Sequence, residues 1–210
     1  MEQEELINNV RFDSPLTREM AEKLMKIEGK ARGGKFKDDL GFILEEDGAE
    51  SLKKVEEKLA ELGFPMKYKE IKEMEFYPIG LRVLLLLVIK YVLNYNNEKI
   101  KTMGADAAKV SLIMRFFMQY FFSIKKIFNE ASKIWEKYYT VGKLVPTELN
   151  EDKKFVKLRI ENFNIHPIIC PYLEGYFSTV VKMVINKPVS TQETQCVFKD
   201  GACHEFILKW

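Results

Sequence analysis

Apolar side chains recur every three or four positions through the first two thirds of this chain and alternate with polar ones over much of the last third. Leu16, Met20, Leu24 and Ile27 hold helical spacing, and Ser14 followed by Pro15 supplies an N-cap and a first-turn proline. That predicts a helix from Pro15 to about Glu28. The segment Lys30 to Phe42 is glycine-rich and basic, which predicts a turn or mobile loop. A second amphipathic helix is expected near Ala49 to Leu62, stopped by Gly63 and Pro65, and a third near Ile79 to Leu93. The third is apolar nearly all round its middle and should lie deep in the core.

The longest helical stretch is expected from about Asp106 to Tyr138, through Val110, Met114, Phe117, Tyr120 and Phe121. Few positions there suit solvent, so other elements must enclose it. Its Met and Phe side chains either fill the core or form a wall that re-packs around a guest.

After Tyr139 the period changes to two. Lys143 to Leu149 and Lys154 to Phe163 predict a β-hairpin around the polar turn Asn150 to Lys153. Ile168 to Asn186 returns to helical spacing. Val189 to Phe198 and Cys203 to Trp210 predict a second hairpin, with Asp200 and Gly201 as its turn. The fold class is therefore α+β: N-terminal helices packed with a C-terminal β-β-α-β-β four-stranded antiparallel sheet. Residues 1–75 form a helical region within the same domain, and 76–210 the ligand-binding part.

Charge narrows the function classes. A formal net charge of +2, with lysines alternating with glutamates along the N-terminal half, gives solvated helix faces and no phosphate-binding stripe. No direct nucleic-acid partner is expected. Met1 to Asn9 is acidic and polar, unlike a secretory signal, which predicts a cytoplasmic protein. The most apolar run, Leu81 to Leu93, contains Arg82 and Lys90 and falls short of the roughly 20 residues of a membrane span.

Two motifs carry no chemistry. Gly29 to Lys35 copies most of a phosphate loop, but Phe36 stands where Ser or Thr would bind Mg²⁺. Cys203 and His204 are neighbours on a strand and point to opposite faces, a poor nucleophile and base couple.

All three cysteines, Cys170, Cys196 and Cys203, fall in the β-β-α-β-β part, with Glu193 three residues before Cys196. Three thiolates and a carboxylate suit Zn²⁺ in a closed tetrahedral site. With a two-residue turn at Asp200 and Gly201, Cys196 and Cys203 share a sheet face. Glu193 then has the wrong parity relative to Cys196, and its participation requires a bulge near Thr194 and Gln195. The alternative is three small buried hydrophobes with no ligand.

The succession Trp135, Tyr138, Tyr139 and Gly142, the hairpin ending at Phe163, then His166, Pro167, Cys170, Leu173, Glu174, Gly175, Tyr176, Glu193, Cys196, Asp200, Gly201, Cys203, Phe206 and Trp210 resembles the 4-vinyl reductase domain family. That family includes a bacteriochlorophyll-synthesis protein and the sensing domains of phenol- and xylene-responsive activators. Its fold is shared with haem-based nitric oxide sensors and with subunits of a Golgi tethering complex. The gaps of 23 positions from Cys170 to Glu193 and three to Cys196 match its zinc ligands, while the seven to Cys203 is one short. The resemblance implies that Cys170, Glu193, Cys196 and Cys203 ligate zinc. It also implies an apolar pocket between helices and sheet, for which periodicity nominates Met114, Phe117, Phe121 and Tyr176.

Phenol sensors hold the ligand hydroxyl with a helical histidine, and neither His166 nor His204 lies on the long helix. An apolar or lipid-like guest is therefore expected rather than a phenol or a haem. The chain reads as a small-molecule sensor or carrier domain, with output through a homodimer or a separate signalling partner. Its rivals are an enzyme or accessory subunit acting on a tetrapyrrole vinyl group and a protein-interaction scaffold. No nicotinamide or flavin fingerprint and no matched acid and base support the first rival.

Overall fold

The structure, a computed structural model, describes residues 16–111, 114 and 123–210. The expected cap at Ser14 and Pro15 and the expected wall residues Phe117 and Phe121 lie outside them. Helix α1 (Arg18–Leu24) opens at Thr17, whose hydroxyl accepts the Met20 N–H at 3.2 Å. Strand β1 (Lys30–Arg32) follows and pairs antiparallel with β2 (Phe76–Pro78), Ala31 opposite Tyr77.

The stretch from residue 33, expected as loop, is helix α2 (Gly33–Glu46). Phe36, Leu40 and Ile43 recur at helical spacing and are fully buried. The glycines that suggested a loop serve packing instead: a Cβ on Gly33 would sit 2.1 Å from the Lys72 carbonyl oxygen. Helix α3 (Gly48–Glu61) buries Leu52, Val55 and Leu59, and α4 (Ile79–Val92) is buried along nearly its whole length.

The single long helix expected from Asp106 to Tyr138 does not form. Helix α5 (Asn97–Val110) is capped by Asn96 and ends where Ser111 turns to ψ 121°, and α6 (Ile124–Tyr138) starts afresh with Ser123 as its cap. Serine competes with the backbone for local hydrogen bonds, which makes it a helix boundary as readily as a helix member.

Strands β3 (Lys143–Asn150), β4 (Phe155–Glu161), β5 (Ser190–Gln195) and β6 (His204–Lys209) form one antiparallel sheet in the order β3-β4-β6-β5. Helix α7 (Ile169–Ile185) connects β4 to β5 and lies across the sheet. The α+β architecture is as expected. Val156, Leu158 and Ile160 of β4 and Phe206 and Leu208 of β6 are buried on the covered face.

Helix α7 is pinned from its other side by α5. A Cβ on Gly104 would lie 2.0 Å from the Tyr172 carbonyl oxygen, and one on Gly175 1.9 Å from that of Lys101. The two backbones touch there, and glycine alone permits it. Among the described residues, no helix is long and apolar enough to cross a membrane.

Candidate functional site

One end of α7 meets the β5–β6 end of the sheet. The helix entrance is set by buried His166, whose Nδ1 accepts the Ile168 N–H at 3.1 Å. Cys170 follows in the first turn of α7. Glu193 lies near the end of β5, Cys196 just beyond it, and His204 opens β6.

The pairing of β5 with β6 slips between Glu193, opposite Phe206, and Gln195, opposite Glu205. This irregularity falls where the participation of Glu193 requires one. Before it, Glu193 shares the covered face with Phe206 and His204; after it, Cys196 comes back to that face. A loop then holds Cys196: its carbonyl accepts the N–H groups of Lys199 and Gly201, each at 2.9 Å. A Cβ on Gly201 would meet the Cys196 backbone at 2.8 Å.

The ligand atoms of Cys170, Glu193, Cys196 and His204 all lie within 4.8 Å of one another. The two sulfurs are 3.7 Å apart, Cys170 Sγ is 3.8 Å from His204 Nδ1, and that nitrogen is 2.8 Å from Glu193 Oε1. Nδ1 is thus the atom that faces the group, and His204 Nε2 is buried without a hydrogen-bond partner. The thiols share a proton unevenly. Cys196 accepts the hydrogen bond from Cys170 and is drawn down to about 7, while donating it pushes Cys170 far up, with burial adding to the effect.

The fourth member is His204, and Cys203 stands apart. The two-residue turn does not form: residues 197–199 make a 3-10 turn and Asp200 takes a left-handed backbone, φ 61°. The chain leaves β5 earlier than expected, so the parity that put Cys196 and Cys203 on one face no longer holds. Cys203 points to the other face, where its Sγ reaches Gln195 Oε1 at 3.8 Å. The same alternation that sends it out sends His204 in.

Beside this group, walled by α6, α7, β3 and β4, lies an apolar cavity of about 60 Å³. Met114 and Tyr176 border it, together with Ile127, Trp135, Leu158 and Phe177. Trp135 is fixed by donating its Nε1–H to the Val141 and Gly142 carbonyls, both at 3.2 Å. Its ring also packs edge-on against Phe163 with centroids 4.9 Å apart.

Behind one end of the cavity is a nest of buried charge that the periodicity gives no sign of. Arg82 and Asp39 are both fully buried and joined at 2.6 Å. Lys35, 2% exposed, pairs with Asp38 at 3.0 Å, and its Nζ stands 4.7 Å from the ring centroids of Tyr138 and Tyr176. Burial pushes Lys35 below its ordinary value, against Asp38 and with help from Arg82, and pushes Asp39 above its own.

This assembly of helices over an antiparallel sheet is the fold of the H-NOX proteins. The H-NOX protein of S. oneidensis in its Fe(II)NO ligation state superposes with a TM-score of 0.65 at 13% identity, covering 85% of this chain and 98% of that one. The Fe(II) unliganded H-NOX protein of K. algicida gives 0.62 at 12% identity, covering 85% and 95%. At such identity the likeness is one of fold. No family model matches the chain, and no curated protein matches it.

The residues present do not fit a haem. Neither histidine nor any cysteine borders the cavity, and although Met114 and four tyrosines do, about 60 Å³ is far below the roughly 300–1,000 Å³ of cofactor pockets. They do fit a metal ion at the other group. A zinc–sulfur bond of about 2.3 Å places two thiolates roughly 3.8 Å apart across a tetrahedral angle. The 3.7 Å between Cys170 and Cys196 matches that span.

Proposed function

We propose that this chain is a sensor or carrier domain that holds a small apolar molecule in the cavity under α6 and α7, with a structural zinc bound by Cys170, Glu193, Cys196 and His204. The observation that carries the proposal is that α7 serves both places. Cys170 in its first turn belongs to the thiol group, and Leu173, Tyr176, Phe177 and Val180 further along border the cavity. A ligand that shifts α7 acts on the metal group, and the metal fixes one end of the helix that bounds the ligand. The H-NOX fold supports a ligand-binding role.

The ligand is expected to be small. The cavity exceeds the space one water needs, about 10–15 Å³, and is smaller than the roughly 150 Å³ that accommodates benzene. Xenon is the matching probe. Xenon NMR should show a bound environment, with shift changes in α7 and β4 residues that border the cavity. Elemental analysis should find one zinc per chain. A chain that takes up neither xenon nor zinc refutes the proposal.

A further inference from the structure

Lys35 is the one charged residue that borders the apolar cavity among the described residues. Its surroundings are those of a reactive amine. The side chain is 2% exposed, and Nζ makes an ion pair with Asp38 Oδ2 at 3.0 Å without the geometry of a hydrogen bond. Two cavity-bordering tyrosines, Tyr138 and Tyr176, put their rings 4.7 Å from it, and Tyr139 and Tyr172 border the same cavity. The fixed charges nearby are Asp38, Asp39 and Arg82, the last two neutralising each other at 2.6 Å. A buried lysine held in apolar surroundings gives up its proton more easily than one in water and becomes a nucleophile.

We propose that Lys35 captures a small apolar aldehyde as an imine. This rests on the cavity assigned above and names the chemical class of its guest. The Lys35 ammonium passes a proton to the Asp38 carboxylate, and the freed Nζ lone pair attacks the carbonyl carbon. One nitrogen-bound proton moves to the carbonyl oxygen, giving a neutral carbinolamine. Asp38 then returns its proton to that hydroxyl, water leaves, and a protonated imine remains paired with the Asp38 carboxylate. The sum is one ammonium and one carbonyl compound giving one iminium and one water, with no oxidant or reductant.

Nζ stands 4.7 Å from the ring centroids of Tyr138 and Tyr176, and all three residues border the cavity. The size of the cavity selects carbonyl compounds of one or two carbon atoms.

The test uses the unmodified chain with a limiting amount of ethanal and sodium cyanoborohydride near neutral pH. Peptide mapping by mass spectrometry then compares Lys35 with exposed Lys53. The imine at Lys35 predicts that its peptide carries the ethyl group before the Lys53 peptide does, and that Asp38→Asn slows that labelling. Label on Lys53 with none on Lys35 overturns the imine, and xenon NMR of the same sample identifies what failed. A xenon-filled cavity with an unlabelled Lys35 leaves the apolar-guest proposal standing, whereas no xenon and no label removes both.

Discussion

The protein buries ionisable groups in two places, and they balance their charges differently. In the nest behind the cavity, Arg82 faces Asp39 and Lys35 faces Asp38, so two cations meet two anions and the chain alone is neutral there. At the end of α7, two thiols and a carboxylate meet a single imidazole, with no lysine or arginine among them. Ionised, that group has an excess of negative charge in a buried place. Burying unpaired charge is costly unless a partner or a metal compensates it. The first cluster balances its formal charges within the chain, and the second could hold a metal ion.

The largest effect is expected from breaking the balanced cluster. Arg82→Met leaves the Asp39 carboxylate buried without its partner and should cost about 3–5 kcal/mol of stability in urea denaturation. Adding Asp39→Leu should restore most of that loss, because removing both charges removes the desolvation penalty with the pair. A double variant as unstable as the single one would mean that Arg82 acts through packing against Phe36 and Tyr172 and not through its charge.

Next comes the thiol cluster. Zinc should stabilise the unmodified chain by about 3–4 kcal/mol when free metal exceeds its dissociation constant roughly a hundred- to a thousandfold. The Cys170→Ser, Cys196→Ser double variant should lose the bound zinc and this stabilisation together. Because thiols must lose their protons to bind, the zinc effect should fade as the pH is lowered. Elemental analysis beside thermal melts checks both statements. A melting temperature indifferent to zinc would reduce the group to packed thiols.

The two clusters were unequally legible in the sequence. Period-2 alternation located β3 and β4, because one face of an antiparallel sheet is dry. Cys170, Glu193 and Cys196 were legible through the resemblance, whose ligand gaps of 23 and three positions they match. His204 was hidden by a turn: whether it or Cys203 points inward depends on how many residues the chain takes between β5 and β6, which composition does not reveal. The nest was hidden more deeply. Lys35 and Asp39 look like the solvated positions of any helix, and they lie in a segment whose glycines imitate a loop. Arg82 within the apolar run from Leu81 to Leu93 was the one visible sign that a charge must find a buried partner.

A third effect separates the clusters by pH. Burial lowers Lys35 from its ordinary value of 10.5, so between its folded value and 10.5 the unfolded chain binds more protons than the folded one. Stability contributed by this group therefore rises with pH across that window. Lys35→Met should flatten the rise. Denaturation at several pH values below 10.5 for both chains measures it, and identical slopes would show that Lys35 keeps its proton in both states.

The smallest effect is expected at Cys203. Its thiol faces away from the other four donor atoms and reaches only Gln195 Oε1, at 3.8 Å, which is a weak contact. Burial holds it above its ordinary value, so it does not supply a thiolate readily. Cys203→Ser should thus keep zinc at one per chain and change stability by about 0.5 kcal/mol or less, in line with substitutions away from buried networks. His204→Ala at the next position should lose the metal. If the outcomes were exchanged, zinc lost with Cys203 and kept without His204, the loop between β5 and β6 would be two residues long after all, with Cys203 on the sheet face of Cys196 and His204 on the other.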